Sequence, residues 1–345
     1  MSIRRLFGGS RPGRPSAPLR REAVEWAYRL FLGREAERPA VVEEKLARLR
    51  TVEELRQDFL GSQEFRATHH GLFVTTLEGD EPRMEVERVS SPADLQALFS
   101  HVQGTWETLG ETVPYWSVLV REELRSAPDE RALERFYETG EADVARLLRT
   151  LERSGLDISS FGSCLEYGCG VGRLLPWLAR RFATVHGVDV SRHHLDLAAR
   201  HLSEAGIHNV ELVHLRGVED VTRLPTVDVV FSLIVLQHNP PPVIAYTLAA
   251  LLRSLAEGGV ACFQVPTYRA GYRFSLETYL REHADSREME MHVLPQSAVF
   301  EIAADQGCHV LEVLEDGCTG RRPKEVSNTF LVRKRSDRFA GPTPG

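Results

Sequence analysis

Apolar positions recur at helical spacing through the first third of the chain and give way to short unbroken apolar runs in the middle. From Glu22 to about Ala67, Val24, Ala27, Tyr28, Phe31 and Leu32 form one stripe, and Val42, Leu46 and Leu49 form another after Pro39. Gly33 stops the first of these helices. Thr51 with Glu54 three residues on is a capping-box arrangement that starts a third, so residues 22–78 read as a small helical domain. A polar joint with Gly79 and Pro82 follows. Residues 92–155 are again helical, from Pro92-Ala93-Asp94 to DVARLLRTLERSG, and form a connector or lid. Within it, WETLGETVPYWSVL is rich in turn residues and places Trp106, Tyr115 and Trp116 in a non-periodic stretch.

The middle of the chain alternates strand and helix. CLEYGCGVGRLLPWLARRFATVHGVD, Cys164 to Asp189, has a short apolar start, a glycine cluster, a helical run and a second apolar strand, which is the form of a βαβ unit. Ser191 caps a helix to about Ala205, Val210–Leu215 is a third strand, and Val227–Leu236 a fully apolar fourth. LQHNPPP leads into a helix through Leu255, and Gly258-Gly259 turns the chain into a fifth strand, VACFQVP. A helix over Gln296–Gly307 precedes a hairpin of His309–Leu314 and Val326–Arg333, joined by a turn with Gly317 and Gly320. The fold class is therefore α/β, with a mostly parallel Rossmann-like sheet over residues 156–335 and a helical N-terminal domain.

Chemistry concentrates at the first strand-to-helix turn. Glu166, Gly168, Gly170 and Gly172 alternate as E-x-G-x-G-x-G, glycines suited to a turn whose backbone lies against a ligand where a Cβ would clash. Asp189 ends the next strand and can accept hydrogen bonds from both hydroxyls of a ribose. A dinucleotide fingerprint would run G-x-G-x-x-G and set a helix N-terminus under a diphosphate. Here the third glycine comes one position early and a carboxylate precedes the first, which would repel a diphosphate and suits a cationic amino-acid end.

This pattern resembles motif I of class I S-adenosylmethionine-dependent methyltransferases. The resemblance covers Cys164 to Pro266 and implies that the glycine loop curves round the methionine part, with Glu166 near it and Asp189 on the ribose. It further implies that Gly217, Val218, Glu219 and Asp220 reach the adenine, Glu219 or Asp220 meeting its amine, and that the last strand is antiparallel, inserted beside the preceding one. That terminal hairpin argues against a nicotinamide dehydrogenase. YRLFLGRE at Tyr28–Glu35, with DFLGSQEF at Asp58–Phe65, resembles a short helical domain attached to bacterial surface-polysaccharide enzymes, here a spacer, oligomerisation or scaffold module. The stretch around Trp106 and Trp116 is similar to the lid of one bacterial methyltransferase group; core packing of the tryptophans is the competing expectation.

Methyl transfer from a sulfonium is an in-line displacement, so the protein mainly has to hold the acceptor and exclude water. His238, at the exit of the fourth strand, is the first candidate base, with Gln237 and Asn239 as hydrogen-bonding neighbours; a helix-capping or loop-supporting role is the alternative. The insertion Thr267–Leu294 carries Tyr268, Tyr272, Arg273, Phe274, Tyr279, Arg281 and His292. Aromatic and arginine side chains together suit a sugar, phosphate or polar aromatic acceptor, and His292 is the second candidate base.

Composition narrows the picture further. The 345 residues are 42% hydrophobic and 26% charged, globular values, and the net charge of −7 disfavours a nucleic-acid partner. Five cysteines without a C-x-x-C pair suit reduced thiols in the cytoplasm, and no catalytic metal is expected. Residues 1–21 hold six arginines and no acid and read as a disordered basic lead without the apolar core of a signal peptide; residues 336–345 read as a disordered tail. No apolar stretch is long enough to span a bilayer. The expected activity is O-methylation of a glycan or glycan precursor with S-adenosylmethionine. The alternatives are a small-molecule natural-product acceptor, or a non-catalytic nucleoside-binding module.

Overall fold

The computed structural model describes residues 19–69, 77, 79–283, 286–319 and 324–336. Most of the basic lead, all but Ser336 of the tail, and Gly320 of the hairpin turn lie outside them. The chain divides into two compact units at residues 74 and 75.

The first unit holds helices α1 (Arg21–Leu32), α2 (Pro39–Arg48), α3 (Val52–Leu60) and α4 (Gln63–Thr68). Gly33 ends α1 in the left-handed conformation, φ +66°, and Thr51 caps α3 in a reciprocal box with Glu54. Val24, Ala27, Tyr28, Val42, Leu55 and Phe59 form its core, and the rings of Tyr28 and Phe59 meet edge to face at 4.9 Å.

The second unit is built on a seven-stranded sheet: β1 (Ser163–Tyr167), β2 (Thr184–Asp189), β3 (Val210–His214), β4 (Val227–Ser232), β5 (Leu255–Arg269), β6 (Cys308–Asp316) and β7 (Glu325–Lys334). Their spatial order is β3-β2-β1-β4-β5-β7-β6. The first five run parallel, while β7 lies antiparallel between β5 and β6. This is the mostly parallel Rossmann-like sheet with an antiparallel inserted last strand that the sequence pattern predicts.

Period-two alternation sends neighbouring residues of each strand to opposite layers. Leu165, Ala261 and Phe263 pack with α5 (Pro92–Thr112), α10 (Pro241–Arg253) and α12 (Gln296–Asp305) through Phe99, Leu248 and Val299. Cys164, Val260 and Cys262 pack with α7 (Glu130–Arg153), α8 (Leu175–Ala179) and α9 (Arg192–Glu204) through Leu147, Leu178 and Leu195. A short helix α6 (Pro114–Val118) joins α5 towards α7, and α11 (Leu276–Glu282) lies in the insertion after β5. No helix among the described residues is long and apolar enough to cross a membrane.

Three local expectations are corrected. Trp106 is not in an irregular stretch: it belongs to the 21-residue helix α5, which continues through Gly104 and Gly110. The fourth strand stops at Ser232 because Ile234 takes φ +59°, and Leu236–His238 form a single 3₁₀ turn. The fifth strand extends to Arg269, paired along its length with β7 as far as Arg269↔Glu325.

Candidate active site

The carboxyl ends of β1, β2 and β4 converge on the glycine turn. Gly168, Gly170 and Gly172 all have positive φ, +75°, +53° and +80°. A Cβ on Gly168 would stand 2.4 Å from both methyls of Val235, and one on Gly170 would stand 2.7 Å from Cγ2 of Val118 in α6. Both backbone torsion and space therefore require glycine at these positions. Asp189 fixes the turn from the next strand: one carboxylate oxygen accepts from the Gly170 N–H at 2.8 Å and the other from the Ser191 N–H at 2.9 Å.

Glu166 lies beneath this turn, 4% exposed, and its Oε2 has no hydrogen-bond partner. Burial pushes its carboxyl well above the usual range; the Arg173 charge pulls it down while Asp189 pushes it further up. Arg173 itself is engaged by Asp143 at 2.8 Å and by Thr139 at 3.1 Å. A buried, unpartnered acceptor beside a cradle that only glycine can line fits a ligand bearing a cationic amino-acid end.

At the end of β3 the chain enters a 3₁₀ turn, Val218–Arg223. The Val218 N–H donates to Oε1 of Gln96 at 3.3 Å, and Gln103 donates to the carbonyls of Leu215 at 3.1 Å and Val190 at 3.4 Å. Glu219 points to solvent beside Arg223, whereas Asp220 accepts from the Arg216 N–H at 2.9 Å and closes the turn. Both glutamines come from α5, which therefore roofs the strand ends. The same helix sends Glu107 onto the first turn of α9, accepting from the Arg192 N–H at 2.8 Å and pairing with His193 Nδ1 at 2.9 Å.

Across the roof lies a pocket lined by His101, Val102, Thr105 and Trp106 of α5, His238, Tyr279 and the stretch Glu288–Glu290. The Trp106 and His238 rings meet at 5.4 Å. His238 Nδ1 is 2.7 Å from the Glu290 carbonyl and Nε2 is 3.1 Å from Nε2 of Gln237. Burial lowers the imidazole pKa to about 4. His292 sits behind the wall, its two ring nitrogens 2.9 Å from the Tyr272 hydroxyl and from Glu290. Burial disfavours the charged form of Glu290, yet hydrogen bonds from His292 and Tyr279 outweigh it and bring its carboxyl to about 2. Asn239 turns inward, donating to the Val235 carbonyl at 3.0 Å.

The sequence-predicted residues thus fall into two groups. Glu166, the three glycines and Asp189 meet at one turn, with Val218 at the neighbouring strand end; His238 lines the pocket, while His292 stands behind it. Three arginines of the insertion face carboxylates, Arg269 with Glu325 at 3.1 Å, Arg273 with Glu85 at 3.6 Å and Arg281 with Glu282 at 3.0 Å, while Arg287 donates to the Ser286 carbonyl at 2.7 Å and lies 3.5 Å from His101 Nδ1. Among the described residues, no group of three or more His, Cys, Asp or Glu is placed to hold a metal ion. Sequence reasoning missed Gln96, Gln103 and Glu107, which carry no motif, and Gln264, whose signal was a polar residue inside the apolar run VACFQVP.

Comparisons with known proteins bear on this unit. Residues 164–259 match the family model described as "Methyltransferase domain". The chain is 36% identical to ubiquinone biosynthesis O-methyltransferase of Saccharophagus degradans, over 28% of this chain and 39% of that protein. It is 33% identical to methyltransferase GfsG of Streptomyces halstedii, over 27% of this chain and 34% of that protein. The chain therefore spans less than half the length of these curated relatives. Among solved structures, magnesium protoporphyrin IX methyltransferase of Synechocystis PCC 6803 with bound SAH aligns at 16% identity over 68% of this chain and 99% of that one, with a TM-score of 0.48. The glycine turn and Asp189 lie within the segment that matches the methyltransferase-domain model, and the strands of that segment form the parallel part of the sheet.

Proposed function

We propose that the protein transfers a methyl group from S-adenosylmethionine to a hydroxyl of an acceptor held between α5 and the insertion after β5. One observation carries the reading: a buried carboxyl with a free acceptor atom, Glu166, lies beneath a glycine turn that Asp189 pins to the strand edge. When bound, S-adenosylmethionine supplies an electrophilic methyl on a sulfonium. Glu166 answers the cationic amino-acid end, Asp189 the ribose hydroxyls, and Val218 the base, while Glu219, turned to solvent beside Arg223, takes no part. The α5 roof excludes water from the strand ends, which strengthens each of these polar contacts. His238 takes the hydroxyl proton: its depressed pKa keeps it neutral throughout the physiological range.

A glycan or glycan precursor remains the first acceptor reading, on the resemblance of the N-terminal helical unit. A small aromatic or natural-product acceptor is the second, supported by the aromatic walls Trp106 and Tyr279 and by the ion pairs of Arg269, Arg273 and Arg281. The O-methyltransferase name of the Saccharophagus relative is consistent with a hydroxyl acceptor in either case. Incubation with methyl-labelled S-adenosylmethionine and separate glycan and small-molecule fractions distinguishes them by where the label lands. Calorimetry showing no binding of S-adenosylmethionine or S-adenosylhomocysteine to folded protein would overturn both.

A further inference from the structure

His238 stands at the end of a hydrogen-bond chain whose direction is fixed by chemistry at both ends. The chain starts at Ile234, a β-branched residue held at φ +59°. Its N–H can only donate, and it points at the side chain of Gln264 at 3.1 Å, so that atom is the carbonyl oxygen Oε1. The remaining polar atom of Gln264 is then the NH₂ group, which donates to Gln237 at 3.0 Å and to the Ser327 hydroxyl at 2.7 Å. Gln237 consequently shows its oxygen to Gln264 and its NH₂ to His238 Nε2 at 3.1 Å. A donor on that side requires a bare ring nitrogen. On the other side Nδ1 faces the Glu290 carbonyl, which can only accept, at 2.7 Å, so Nδ1 carries the hydrogen. Gln264, Gln237 and Ser327 are 0%, 2% and 1% exposed, so water does not substitute for any link.

We infer that Gln264 and Gln237 are positioning residues that hold His238 as the Nδ1–H tautomer with Nε2 unprotonated. The inference rests on the proposed role of His238 in the acceptor pocket. Nε2 is the nitrogen a proton-accepting imidazole needs bare, and the Gln237 amide holds its lone pair until an acceptor hydroxyl exchanges for it. The strained turn at Ile234 has a use in this arrangement: it aims a backbone donor at Gln264 and so orients both amides from a point that cannot rotate. The groups that face His238 otherwise are Trp106 and His101 of α5, Glu290 and Glu288 of the insertion, and His292 behind it.

Reversing one amide tests the chain. In Gln264→Glu the carboxylate only accepts, so Gln237 turns its NH₂ towards it and presents oxygen to Nε2, which favours the protonated ring. In Gln237→Glu a carboxylate faces Nε2 directly. Ring-nitrogen NMR of histidine-labelled full-length protein, with His238→Gln identifying the signal, reads the tautomer without any substrate. The expected result is a protonated Nδ1 and bare Nε2 in the wild type at pH 7. In both variants the His238 pKa rises by about 1–3 units from about 4, the usual effect of a new acceptor or anion beside a titrating group, so Nε2 takes up its proton at a higher pH than in the wild type while Nδ1 keeps its hydrogen. A protonated Nε2 in the wild type at pH 7 overturns the inference even if neither variant folds, and an unchanged His238 pKa in a folded variant overturns it as well. Binding of S-adenosylhomocysteine, measured in parallel, separates the outcomes: its absence refutes the methyltransferase reading and leaves the tautomer measurement standing.

Discussion

Replacing Gly168 by alanine puts a methyl group where two separate constraints forbid it. The backbone there has φ +75°, and an L-residue in the left-handed region costs about 1–2 kcal/mol. The added Cβ would also lie 2.4 Å from both methyls of Val235 and 2.9 Å from its Cβ. Val235 is part-buried in the turn that carries His238, so relief requires moving that turn, and overpacking of this kind costs about 1–3 kcal/mol. The expected loss is the sum, about 2–5 kcal/mol, a large part of a typical domain's stability. Gly206→Ala is the control: φ there is +65° but nothing lies within 4 Å of its added Cβ, so only the torsional part applies. Urea unfolding of the three proteins, with midpoints and slopes fitted together, measures both losses. A Gly168→Ala loss no greater than that of Gly206→Ala would refute the collision with Val235. Calorimetry with S-adenosylhomocysteine adds a second readout, in which Gly168→Ala loses affinity and Gly206→Ala keeps it.

Asp189→Ala removes the acceptor of the Gly170 and Ser191 N–H groups together with the proposed ribose contact, and should weaken S-adenosylhomocysteine binding by about 1–3 kcal/mol; unchanged calorimetric affinity would clear Asp189 of the ribose role. Glu166 has a folded pKa above its ordinary 4.5, so its contribution to stability is present below pH 4.5 and is lost as pH rises towards the folded value. Glu166→Gln should therefore show a smaller fall in urea midpoint between pH 5 and pH 8 than the wild type, while binding the cofactor more weakly; identical slopes with pH would remove the buried-proton argument. His238→Ala should lower kcat about 100-fold with S-adenosylhomocysteine affinity intact, and full activity would end its role as base. In the wild type the proton that inactivates His238 binds only as pH falls through about 4, so kcat/KM should hold steady from pH 8 to pH 5; an acid limb near 6.5 would contradict the burial of the ring.

The glycine turn was legible because its requirements are local: three positive-φ positions, an acid before them and Asp189 at the end of the next strand all lie within one βαβ unit. The roof was not legible, since Gln96, Gln103 and Glu107 reach the strand ends and α9 through groups about 85 to 120 residues away, and spacing along α5 carries no trace of those contacts. Gly110 was misread as a turn signal for a related reason. A Cβ there would come within 2.6 Å of Ser191 Oγ and 2.8 Å of His194 Nδ1, so the glycine serves helix-to-helix contact rather than a break. The insertion arginines looked available for a sugar or phosphate because two of their carboxylate partners, Glu325 and Glu85, are remote in sequence. A polar residue inside an apolar strand was the signal that went unread, in Gln264 of VACFQVP.

Glu107 gives the roof helix an anchor. Its carboxylate accepts from two backbone N–H groups, from the Ser191 hydroxyl and from the His193 ring, all at the start of the helix that follows Asp189. Parting α5 from α9 has to separate a charge from four donors in one step, whereas a shift of the insertion after β5 leaves that clasp intact.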